Sequence, residues 1–117
     1  MKKIVLSFLF IVFVCSAARS QYTDLFFSEY LEGSSNNKAV EIFNPTSAPI
    51  DLSLYKMYRY NNGSAVAQDS LAMEGMLAPG AVYVAGNPSA VADILNVSDT
   101  LHTITFFNGD DVIELRR

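Results

Sequence analysis

Cysteine is nearly absent from this sequence: Cys15 is alone among 117 residues. Tryptophan is missing, histidine occurs once, at His102, and 8 basic residues face 12 acidic ones. Each scarcity excludes something. A single thiol allows no internal disulfide and no Cys-ligated zinc. With one histidine and no Gly-x-Ser-x-Gly elbow, a nucleophile–base pair would have to rest on His102 alone. A lone histidine after Leu101 is read as a strand-end residue. No apolar run reaches the ~20 residues that cross a hydrocarbon layer. The longest, Ile4 to Cys15, is interrupted by Ser7.

What is present divides the chain in two. Met1-Lys2-Lys3 is a short positive start, Ile4 to Cys15 an apolar stretch, and Ala18-Arg19-Ser20 places small residues at −3 and −1 of a cut before Gln21. This is the layout of a cleaved secretory signal, residues 1–20, and it implies a secreted or cell-surface protein with no membrane span after cleavage. A lipoprotein reading would acylate Cys15, but Phe13-Val14 before it are bulky for a lipobox. The remaining domain, 21–117, has no cysteine, 5 basic against 12 acidic residues and a net charge of −7. Such a surface argues against nucleic-acid binding, which needs a basic face to neutralise phosphate. The low charged fraction, 17%, argues against disorder.

The domain reads as short strands between turn residues. Strands are predicted at 25–31, 39–44, 54–60, 65–71, 81–85, 101–107 and 112–115. Within the second, Val40 and Ile42 share one face, Glu41 and Phe43 the other. Asn61-Asn62-Gly63-Ser64 is a hairpin signal, because Asn and Gly tolerate positive φ. Ser89 to Leu95 is the one helical candidate, with Ser89 as its cap. About seven short strands and one short helix define an all-β sandwich. The last strand runs into Arg116-Arg117 with no partner strand after it, so the sheet is expected to have an open edge there.

Several segments carry a family likeness. Phe27-Ser28-Glu29-Tyr30, Glu32-Gly33-Ser34-Ser35-Asn36-Asn37-Lys38 and Val40-Glu41-Ile42-Phe43-Asn44-Pro45 come first. Ile50-Asp51-Leu52-Ser53-Leu54-Tyr55, Leu77-Ala78-Pro79-Gly80 and Phe107-Asn108-Gly109-Asp110-Asp111 follow. In this order they resemble a bacterial lamin tail domain over roughly residues 24–115. The resemblance implies an immunoglobulin-like β-sandwich without catalytic activity or cofactor, acting as a binding or adhesion module outside the cell. Family members continue past the Gly109-Asp110-Asp111 turn through further strands, so it also implies a domain shortened at its C-terminus. The second function it implies is an N-terminal accessory domain of a larger extracellular hydrolase, such as a nuclease or phosphatase.

Two groups of residues could carry chemistry. Glu29, Glu32, Asp110 and Asp111 could in principle converge on a hard cation, though no Asp-x-Asp-x-Asp-Gly loop sets their spacing. The structural reading, in which Asp110 accepts hydrogen bonds from its own turn, is favoured. Tyr58 and Tyr60 share a strand face with Lys56, opposite Tyr55 and Met57. A Tyr pair offers a flat apolar body with polar tips, suited to a glycan or protein ligand. Cross-strand packing is the competing reading. Asn62-Gly63-Ser64 and Asn96-Val97-Ser98 match the N-glycosylation pattern.

Overall fold

The structure, a computed structural model, describes residues 23–117; the expected signal segment and its cut before Gln21 lie outside the described residues. Strands β1 (Phe26–Glu32) and β2 (Lys38–Phe43) form an antiparallel hairpin. Then follow β3 (Ile50–Asp51), β4 (Lys56–Tyr60), β5 (Asp69–Ala72), β6 (Met76–Leu77) and β7 (Val82–Gly86). A one-turn helix, α1 (Ala92–Leu95), precedes β8 (Thr100–Leu101) and β9 (Val112–Arg116). One sheet has the order β1-β2-β7-β8, a second β5-β4-β9, and β3-β6 is a two-stranded ribbon between them in sequence. Among the described residues only the β7–β8 pair is parallel.

Period-two alternation explains why these segments build two packed layers. In β2, Val40 and Ile42 are buried; in β4, Met57 and Arg59 are buried, while Lys56, Tyr58 and Tyr60 point away. Val40 lies opposite Ala85 and Ile42 opposite Tyr83, so the inner face continues onto β7. Across the layers these side chains meet Met57 and Leu71, with Leu52, Tyr55, Leu77, Ile104 and Phe107 completing the core. The two sheets with one shared apolar core make this an immunoglobulin-like β-sandwich.

The structure departs from the sequence expectation in four places. Nine strands are present among the described residues instead of about seven, because β3 and β6, pieces of two residues each, add to the expected set. The third predicted strand begins at Lys56, not Leu54: the Asp51 carboxylate accepts the Ser53 N–H at 2.9 Å and caps a 3-10 turn over Leu52–Leu54. The segment predicted as a strand at 101–107 is mostly another 3-10 turn, Thr103–Thr105. There His102 Nδ1 accepts the Ile104 N–H at 2.9 Å, and Thr105 Oγ1 donates to the His102 carbonyl. A side chain that bonds its own backbone competes with the ladder, and here it wins. Finally, Ser89 does not cap the helix; its N–H donates to Asn87 Oδ1, and α1 starts after Val91 without a side-chain cap.

Asn44 is the polar centre of the turn after β2. It is fully buried, donates to the Ala48 and Leu77 carbonyls, and accepts from the Thr46 N–H and hydroxyl. Every hydrogen-bonding position of its amide is thus engaged, which is what makes a buried Asn tolerable.

Candidate ligand-binding face

The outer face of the β5-β4-β9 sheet gathers the residues with chemistry to offer. Lys56, Tyr58 and Tyr60 alternate with the buried Met57 and Arg59, so they stand on one side of β4. Tyr58 lies opposite Ser70 of β5 and Glu114 of β9; Lys56 lies opposite Arg116. The ring of Tyr58 has Arg116 Cζ 4.9 Å and Lys56 Nζ 5.4 Å from its centroid, both within cation–π range.

Tyr60 closes the cluster. Its hydroxyl donates to Glu114 Oε2 at 2.9 Å and accepts from Arg116 Nη2 at 2.7 Å, while Arg116 pairs with Glu114 at 2.8 Å. The hydrogen bond from Arg116, aided by that from Tyr60, holds the Glu114 carboxyl below the usual carboxylate range. Desolvation and the bond to Glu114 push the Tyr60 phenol up. The triangle therefore stays ionised on Glu114 and Arg116 and neutral on Tyr60 across the neutral range. It fixes Arg116 beside the Tyr58 ring. Next to that ring a concavity of about 320 Å³ is lined by Tyr58, Ala67, Gln68, Asp69 and Ser70.

The structure thus brings together Lys56, Tyr58 and Tyr60, and adds Arg116 and Glu114, which sequence reasoning missed. Alternation along Val112–Arg116 puts Glu114 and Arg116 on one face, but only the β4–β9 register reveals that it is the Tyr58 face.

The acidic candidates are placed differently. Among the described residues no group of three or more His, Cys, Asp or Glu side chains could hold a metal ion. Glu29 is exposed on β1 opposite Glu41. Glu32 accepts the Gly109 N–H at 3.1 Å and pairs with Lys38 at 3.7 Å. Asp111, not Asp110, caps the turn: it accepts the Asn108 N–H at 3.1 Å and the Asn62 N–H at 2.9 Å. Its buried side chain also lies 3.8 Å from Arg59 Nη1. Asp110 is exposed at the turn. His102 spends Nδ1 on its own turn, as above.

The outer face of the β5-β4-β9 sheet is thus aromatic and charged. The sequence matches the family model of the lamin tail domain over residues 18–117, and the chain belongs to that family of non-catalytic immunoglobulin-like domains. No curated protein and no solved structure matches the chain.

Proposed function

We propose that this protein is secreted and works outside the cell or at its surface as a non-catalytic binding module, with the outer face of the β5-β4-β9 sheet as its ligand surface. One observation carries the reading. The domain has a net charge of −7, yet its accessible cations, Lys56, Arg116 and Arg117, lie on or just after two strands of this sheet. The other two basic residues are withdrawn: Arg59 is buried, and the Lys38 side chain is 13% exposed and committed to Glu32 and the Phe107 carbonyl.

A ring flanked by two cations favours a ligand with an apolar face and a carboxylate. The adjoining Gln68, Asp69 and Ser70 supply hydrogen-bonding groups suited to hydroxyls. An acidic glycan combines these features. The secretory layout of residues 1–20 supports a ligand outside the cell.

Titration of the purified protein with a uronic-acid polysaccharide tests this. Saturable binding is expected. Tyr58→Ala weakens it about tenfold, the scale of a ~1.4 kcal/mol aromatic–cation contribution. Val97→Ala, against β1 and β2 of the other sheet, leaves it unchanged. Absence of saturable binding to both acidic and neutral glycans defeats the proposal. For the secretion step, the exported protein should begin at Gln21 by mass spectrometry. No hydrolase turnover is expected, with or without divalent metal; turnover that survives purification overturns the non-catalytic reading.

A further inference from the structure

On the opposite sheet, Val40 and Ile42 of β2 point into the core, so Ala39 and Glu41 point away from it. Pairing sets Glu29, Glu41 and Val84 in one row across β1, β2 and β7, and Leu31, Ala39 and Gly86 in the next. Beyond β7 the chain folds back over this face. The Asp99 N–H donates to the Val84 carbonyl at 2.9 Å, and the Asp99 carboxylate accepts the Val84 N–H at 2.8 Å. Gly86 lets the segment approach, since a Cβ there would collide with Ser98 Oγ. The result is a groove of about 90 Å³ lined by Leu31, Ala39, Val84 and Ile94, with Glu29 and Glu41 also on its lining. That is far below the ~300 Å³ of small-molecule sites and has the scale of one side chain.

Two carboxylates face each other across this groove's strands. Directly opposed like charges destabilise an antiparallel pair, whose Cβ atoms are about 4.5–5.5 Å apart. The ion pairs among the described residues all use other acids, so no lysine or arginine offsets Glu29 or Glu41 there. A bulge creates the arrangement. Phe27 pairs with Ile42 and Glu29 with Glu41, which makes Ser28 the extra residue of β1. Without it Glu29 would stand opposite Val40, on the core side. Bulges re-aim side chains in this way. Here Ser28 and Glu29 are both set against Glu41, whose Oε1 accepts the Ser28 hydroxyl at 2.7 Å. That bond orients the Glu41 carboxylate and leaves its Oε2 for another donor.

We propose that this groove receives a lysine side chain of a partner protein, its methylenes against Leu31, Ala39, Val84 and Ile94 and its ammonium between Glu29 and Glu41. Both parts of that side chain find their match. A lysine buries its stem along apolar surface while its head stays polar and wet. Its ammonium is a compact charge with three donors, which carboxylates from two strands can share. The net charge of −7 draws a basic partner toward the domain from a distance. The neighbouring surface favours a protein over a free amine. Phe43 pairs with Val82 in the next row on the same side, and Val82 is 42% exposed. That row offers apolar contact to residues flanking the lysine, contact a free amine would leave unused. The groove lies on the other sheet from Tyr58, so this inference does not rest on the glycan reading.

Amide NMR titration of the purified protein with a blocked pentapeptide, one lysine flanked by leucines, tests this. Saturable shifts are expected at Glu29, Glu41, Val84 and Ile94, with a Kd of about 1 mM, the weak end of specific association. Norleucine or Nε-acetyllysine in place of the lysine should abolish them. Glu29→Gln combined with Glu41→Gln should weaken binding about tenfold without lowering the melting temperature, because a repulsive pair is removed. Ala39→Leu, which fills the groove floor, should abolish binding; the glutamine pair decides the matter if that variant does not fold. No saturable shift up to about 10 mM peptide overturns the proposal. Equal binding of the acetyllysine peptide does so too, as does a clear loss of stability in the glutamine variant, which would make the acid pair structural. Tighter binding of cadaverine than of the peptide would assign the groove to free amines. A concentration-dependent mass without peptide, lost in the glutamine variant, would assign it to a second copy. Either result overturns the assignment to a partner protein.

Discussion

Arg59 and Tyr58 are neighbours on β4, yet they belong to networks with opposite physics. Arg59 turns inward and is 8% exposed. Its guanidinium lies 3.9 Å from Asp69 and 3.8 Å from Asp111, its Nη1 donates to Asn61 Oδ1, and its Nε makes no hydrogen bond. Tyr58 turns outward to the Arg116–Glu114–Tyr60 triangle, in which the Arg116 side chain is 54% exposed. Each cluster sets an arginine against acid: Asp69 and Asp111 for Arg59, Glu114 for Arg116. In the buried one, removing a partner strands a charge away from water; in the exposed one, water replaces whatever is lost. The inner network ties the β4–β5 hairpin to the turn before β9. The outer network contributes little to stability.

The largest expected effect comes from breaking the inner network. Asp111→Ala should destabilise by about 3–5 kcal/mol in urea unfolding, because it removes the more buried of Arg59's two carboxylate partners and leaves two backbone N–H groups without their acceptor. Phe107→Ala should cost a similar ~3–5 kcal/mol, by emptying a fully buried core position. Asp69→Ala should cost less, about 1–3 kcal/mol. Its side chain is 20% exposed and its remaining partners are the hydroxyl of Thr103 and its neighbour Ser70 N–H. If Asp69→Ala proves the costlier of the two aspartate changes, the assignment of Asp111 as keystone fails.

On the outer face the same test should give almost nothing. Glu114→Gln should leave the unfolding midpoint unchanged within error while loosening Arg116 beside Tyr58. A clear loss of stability there would erase the distinction between the two faces. The smallest expected effect is alkaline. Burial, with the nearby Glu32, pushes the Tyr30 phenol up to about 12, and burial, with the hydrogen bond to Asp24, does the same for Tyr55. Their folded values exceed the ordinary value of 10.0, so the folded state holds protons that the unfolded chain releases. Stability is complete below pH 10 and declines as pH rises from there toward 12. Phenolate absorbance should show these two rings titrating last and should merge them with the others on unfolding.

Much of the fold was legible before the structure. The alternation of Val40, Glu41, Ile42 and Phe43 is that of β2, and Asn61-Asn62-Gly63-Ser64 forms the expected turn, with Asn62 at φ 50° and Gly63 at φ 69°. The 101–107 segment misled because Ile104 and Phe107 are buried by a turn that His102 and Thr105 stabilise locally. The turn chemistry outweighs the periodicity. Half of the candidate face was visible: Lys56, Tyr58 and Tyr60 share a side of any strand. Arg116 and Glu114 were not, because nothing local specifies which strand β9 joins.

Sequence by itself determined the period of each strand, the turns between them, the family and the acidic balance, since all of these depend on residues close together along the chain. Tertiary structure alone decided that β9 lies against β4 and in which register. That one long-range pairing places Arg116 on Tyr58 and packs Ile113 and Leu115 against the core. A slip of one residue would turn Glu114 and Arg116 into the core and Ile113 and Leu115 into water. The core therefore selects the register, and the register assembles the candidate face.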